Sequence, residues 1–94
     1  TIFISGKGTI EATLACFQML HRLKGGDFRR ELIRKVLTNQ LKSNPQISLQ
    51  VAGAVVEMMG LQAQLVKVPA HVINRLNTPA LIYWQDSLAL LYKI

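Results

Sequence analysis

Few side chains here could do covalent chemistry. Cys16 is the single cysteine, and His21 and His71 are the two histidines. A thiol beside an imidazole is the minimal set for a cysteine nucleophile: the thiolate attacks, and the imidazolium later protonates the leaving group. The positions argue against Cys16 in that role. It falls inside a helix expected over 10–24, away from the positive N-terminus that lowers a thiol pKa. It reads instead as a packed core cysteine. His21, at the far end of the same helix, suits an interface or surface, and His71 suits the surface. One cysteine excludes an internal disulfide and any multi-cysteine zinc site. The histidines have no ligand-like spacing, so neither a metal nor another cofactor is expected.

The elements that must position these groups follow from hydrophobic periodicity. Residues 1–8 read as loosely held. In the first helix, 10–24, Ile10, Leu14, Phe17 and Leu20 recur at helical spacing. Thr9 is its expected N-cap, Glu11 suits the positive first turn, and Gly25-Gly26 ends it. Asp27 is the expected cap of a second helix over 28–41. Its stripe is Phe28, Leu32, Ile33, Val36, Leu37 and Leu41, with basic residues opposite. After a loop over 42–46, Ser48 caps a third helix over 49–59, stopped by Gly60. Gly53 inside it implies close packing, expected against the first helix. Met19, Met58 and Met59 read as core or groove filling.

Beyond Gly60 the period changes. A strand is expected over 61–68, a short helix or turn over 69–77, and strands over 80–84 and 88–94, joined by a tight connection at 85–87. Tyr83 and Trp84 should face opposite sides of their strand. An aromatic turned outward there would make an interface anchor. Three helices followed by a small, mainly antiparallel sheet give an α+β domain.

The chain has 94 residues, half of them hydrophobic, and a formal net charge of +6. That is one domain, near the lower size for a self-sufficient core. No stretch approaches the roughly 18 uninterrupted apolar residues of a membrane span, and there is no signal-peptide pattern. Seven basic residues crowd between Arg22 and Lys42: Arg22, Lys24, Arg29, Arg30, Arg34, Lys35 and Lys42. Such a face is ordinarily a solvated helix side, but it also favours an acidic partner, an anionic membrane or nucleic acid.

Four blocks carry a family resemblance. Glu11-Ala12-Thr13-Leu14-Ala15-Cys16-Phe17-Gln18-Met19-Leu20, closing on Gly25, resembles the nucleophile helix of the bacteriocin-processing (double-glycine) cysteine peptidases. Ser48 to Leu61 is similar to that family's second signature, a Ser-capped helix ending at Gly-Leu. Pro79-Ala80-Leu81-Ile82-Tyr83-Trp84 resembles its Pro-Ala-Ile-x-x-Trp strand. Leu88 to Ile94 resembles the strand after its catalytic histidine. The blocks stand in family order and span nearly the whole chain. The resemblance implies a trimmed papain-like fold.

The same resemblance implies that the peptidase is dead. The nucleophile position falls on Ala12, the oxyanion-donor glutamine on Gly6 and the histidine on Ser87, so no catalytic residue is expected. A methyl group cannot form a thiolate. The loss of all three looks like natural degeneration. The Gly25-Gly26 pair lies between two helices and does not read as a cleavage site.

Degenerate members of the family occur as N-terminal cytosolic domains of type I secretion exporters, the haemolysin-type ABC transporters. The expectation is therefore a non-catalytic domain over 1–94, excised from a longer exporter. It would dock an unfolded export substrate near the transporter entrance, on the cytoplasmic side of the inner membrane. Its partners would be the exported protein and the membrane and ATPase domains of the parent. Ala12, Ser87, Tyr83 and Trp84 are the expected contacts. A small basic nucleic-acid-binding domain using Arg29, Arg30, Arg34 and Lys35, or a structural domain stabilising the exporter, are the alternatives.

Overall fold

The computed structural model describes residues 2–4, 9–67, 69–84 and 87–92. Three α-helices, α1 (Thr9–Lys24), α2 (Arg30–Leu41) and α3 (Leu49–Met58), precede most of a small antiparallel sheet. Its strands are β1 (Ile2–Ile4), β2 (Ala80–Trp84) and β3 (Ser87–Tyr92), in spatial order β1-β3-β2. The Cα radius of gyration is 12.5 Å, close to the roughly 12 Å expected of one packed unit of this length. The α+β expectation holds at that level. The N-terminus differs from expectation: Ile2–Ile4 is not loose but pairs with β3, Phe3 lying opposite Leu91.

The core forms where α1 crosses β3. Leu14, Cys16, Phe17 and Leu20 of α1 are buried in one cluster with Leu88 and Leu90 of β3. Ile33 and Leu37 of α2, and Ala52, Val55 and Val56 of α3, close it from the other sides. β3 is the central strand, and Leu88, Ala89, Leu90 and Leu91 are all buried. Successive strand side chains point to opposite faces, so β3 is covered on both. That is why its sequence is a continuous apolar run rather than an alternating one.

Helix ends follow local chemistry. Ser48 caps α3 by accepting the Val51 N–H at 3.1 Å, as expected. At its C-terminus the Leu61 N–H reaches Val56 O, and the Gly60 N–H reaches Glu57 O. Gly60 supplies the left-handed φ of +83° that this closure requires. Gly26, at φ +82°, is needed twice over, because a Cβ there would lie 2.5 Å from Met59 O.

Five expectations need correction. Thr9 is not a cap but the first residue of α1. Asp27 does not cap α2, which begins at Arg30 after Arg29. Its N–H is spent on Met59 O at 2.9 Å, and its carboxylate takes the Arg29 Nε at 2.8 Å. Leu32 is not core but 43% exposed. A helix buries a stripe about 100° wide, here Ile33, Val36, Leu37 and Leu41, and Leu32 lies one step round from it. Residues 61–67 form no strand and are largely exposed; residue 68 lies outside the described residues. Gly53 lies against this segment, not α1: a Cβ at Gly53 would sit 3.8 Å from that of Ala63.

Candidate functional site

Ala12 sits in the first turn of α1 and is buried, with 2% exposure. Ser87 opens β3, and its side chain lies outside the described residues, as does the whole of Gly6. The elements that carry positions 12 and 87 do meet. The Cys16 thiol donates to Leu88 O at 3.6 Å, across 72 residues of sequence. Residue 12 is four residues, about 6 Å, before Cys16 along the helix, and Ser87 directly precedes Leu88. The contact joins the two elements, α1 and β3. Tyr83 lies opposite Leu88 in the β2–β3 register, and Trp84 opposite Ser87. Tyr83 is 37% exposed, and partial burial raises its hydroxyl pKa. The side chain of Trp84 lies outside the described residues.

Cys16 itself is sealed in the core. Burial pushes its thiol up to about 11, with the Leu90 backbone opposing part of that rise. A neutral thiol with no solvent access is not a nucleophile. His21 is at the other end of α1, its Nδ1 3.2 Å from Gly25 O and its ring stacked on Phe28 at 6.2 Å. Nine residues of helix, about 13 Å, separate it from Ala12. His71 is exposed on a short 3₁₀ turn, Ala70–Arg75. Among the described residues, no three His, Cys, Asp or Glu groups converge to hold a metal. No described helix is long and apolar enough to cross a membrane.

Sequence reasoning missed an ion cluster at the start of α1. Glu11 Oε1 takes Arg34 Nη1 at 2.8 Å, and Oε2 takes Arg30 Nη2 at 3.0 Å. Arg34 also approaches Glu31 at 3.7 Å. The Arg34 hydrogen bond, chiefly, holds the Glu11 carboxyl below its ordinary range, and the same bond raises the Arg34 pKa. These partners are 19 and 23 residues apart, so no local spacing rule could have paired them. The basic face of α2 is thereby partly committed: Arg29, Arg30 and Arg34 each hold a carboxylate.

Compared with known protein families, curated proteins and solved structures, the chain has no match.

Proposed function

We propose that this chain is a non-catalytic, papain-like peptidase domain that docks an unfolded export segment for a type I secretion transporter. The observation that carries the reading is the contact between Cys16 and Leu88 O. It ties the helix bearing position 12 to the strand opened by position 87, the pairing a papain-type site requires of its nucleophile and its base. With Ala12 in the nucleophile position, recognition is the use left to such a cleft. Ala12 at 2% exposure can form only the floor of a contact. Tyr83, 37% exposed on β2, supplies an approachable side chain. The nucleic-acid reading gains nothing from the three arginines already paired with carboxylates.

The test is titration of the isotope-labelled chain with a reduced, carboxymethylated protein and with the same protein folded. Binding is expected only to the unfolded form, at micromolar or weaker affinity, because ordering a flexible chain opposes the contact energy. Shifts should centre on Tyr83, Trp84 and the start of α1. No double-glycine leader peptide should be cleaved, by this chain or by Ala12→Cys, since no base is available to form the thiolate–imidazolium pair. Cleavage by either would sink the reading. So would shifts confined to Arg29, Arg30, Arg34 and Lys35 that any polyanion reproduces.

A further inference from the structure

The segment over 61–67, Leu-Gln-Ala-Gln-Leu-Val-Lys, carries an unused binding capacity. It runs without a turn or bend. Among the described residues, no hydrogen bond engages the backbone of 62–67. Leu65 and Val66, at 62% and 51% exposure, are the most exposed large apolar side chains among the described residues. Met58, at the end of α3, is 46% exposed. An open hollow of about 570 Å³, lined by Glu57, Leu61, Gln62, Ala63 and Gln64, lies along the same stretch. Its sequence alternates as a strand's does from Leu61 to Leu65, with β-favouring Val66 toward its end. What it lacks is a neighbour.

We infer that 61–67 is a strand-addition site, completed when an extended peptide pairs with its backbone and sets its apolar side chains on the face of Leu65 or of Val66. The open row of N–H and C=O groups selects the occupant. An extended chain can satisfy both groups of every second residue along the segment; a helix or a lipid surface cannot, because it offers no such ladder. The sheet's own edges are less available. β1 has three residues, and β2 has α3 packed beside it. Lys67, at the far end of the segment from the Glu57 that lines the hollow, favours an acidic residue of the peptide beside it, and the +6 charge of the chain favours an acidic peptide's approach. This rests on the docking reading and gives the unfolded segment a second set of contacts, at 61–67 rather than at Tyr83.

The probe is a ten-residue peptide alternating valine and glutamate, titrated into the isotope-labelled chain. Two further forms carry N-methyl groups, one on every valine amide and the other on every glutamate amide. A strand donates from alternate amides along each edge, so one methylated form should bind at least tenfold more weakly than the parent. Alternate amides within 62–67 should gain exchange protection with the parent peptide. Of Gln64→Pro and Leu65→Pro, one removes a donor from the pairing edge and should lose binding to a similar degree. The free fold should tolerate both, since neither N–H is bonded in it. Equal binding of all three peptides, or retained binding by both proline variants, overturns strand addition. Shifts at Tyr83 with 62–67 silent also overturn it while leaving the docking reading intact. If neither this peptide nor any unfolded chain binds, both fall. Protection of 62–67 that grows with protein concentration alone would make a second copy the occupant and overturn the peptide assignment. Equal binding of poly-glutamate would reduce the contact to charge.

Discussion

The strand at 87–92 and the segment at 61–67 invert what their sequences advertise. Leu61-Gln-Ala-Gln-Leu-Val-Lys begins with the alternation expected of a half-buried strand, yet among the described residues no strand pairs with it, and 62–67 lie exposed. Leu88-Ala-Leu-Leu barely alternates, yet it is the centre of the sheet, hydrogen-bonded to β1 and β2 and buried throughout. Alternation reports that one face could be buried. It does not report that a neighbour exists to bury it. A strand is a property of a pair of backbones, whereas the continuous apolar run of β3 could be stable only with cover on both faces.

The sharpest way to test that contrast is to empty the seam beneath β3. Phe17 is fully buried against Leu88 and Leu90 in the core cluster. Phe17→Ala should cost about 3–5 kcal/mol in chemical denaturation, from lost burial and the cavity left behind. Leu65→Ala on the exposed segment should stay within about 0.5 kcal/mol. Equal losses would mean that 61–67 contributes to the core. The same comparison works within α2, where Leu37→Ala should cost about 2–5 kcal/mol and Leu32→Ala well under half as much.

A second break lies where 61–67 leaves α3. Gly26 holds the α1–α2 turn against Met59 O, with a left-handed φ and no room for a Cβ. Gly26→Ala should cost about 1–3 kcal/mol, combining backbone strain with displacement of the α3 terminus. Gly25→Ala, which has the same φ but open space around it, should cost less. Reversed magnitudes in thermal or urea melts would show that contact with Met59 does not govern the turn.

The helices were legible because their signals are local. The Ser48 cap, the Gly60 stop and the periodic stripe of α1 all act within a few residues. What stayed hidden depends on distant neighbours. The pairing of Ile2–Ile4 with β3 joins opposite ends of the chain. Leu32 looked like core because a sequence shows the width of an apolar stripe but not how much of it meets a partner. Asp27 looked like a cap because nothing local reveals that its N–H goes to Met59 O. At the candidate site, the packed cysteine was legible from its depth in α1, whereas its contact with Leu88 O, 72 residues on, had no local signal.

A third test reads the dryness of the seam directly. With the Cys16 pKa raised from 9.0 to about 11, the folded chain keeps its proton where the unfolded chain loses it. The unfolded state thus binds fewer protons between about pH 9 and pH 11, and stability falls as pH rises through that window. Cys16→Ala should flatten that part of the pH profile. At pH 8 the native thiol should resist alkylation until the chain is unfolded. Rapid labelling of the native chain would mean the α1–β3 seam opens to water.

The smallest effect belongs to the exposed end of the same helix. Glu11 is held by Arg34 and Arg30, but all three side chains are partly or largely solvated, and solvated pairs contribute little. The sign is still fixed. Hydrogen bonding to Arg34 lowers the folded pKa of Glu11 below its unfolded value. Its contribution is therefore complete above the ordinary carboxylate range and is lost as pH falls through the folded pKa. Glu11→Gln should remove a shallow acid-side slope and leave the alkaline slope of Cys16 untouched. Salt should weaken the Glu11 contribution, because exposed charges are screened, and should leave the cost of Phe17→Ala unchanged. If high salt instead erodes both equally, the ion cluster and the α1–β3 seam are one cooperative unit. The difference between a dry core end and a solvated cap on α1 would then disappear.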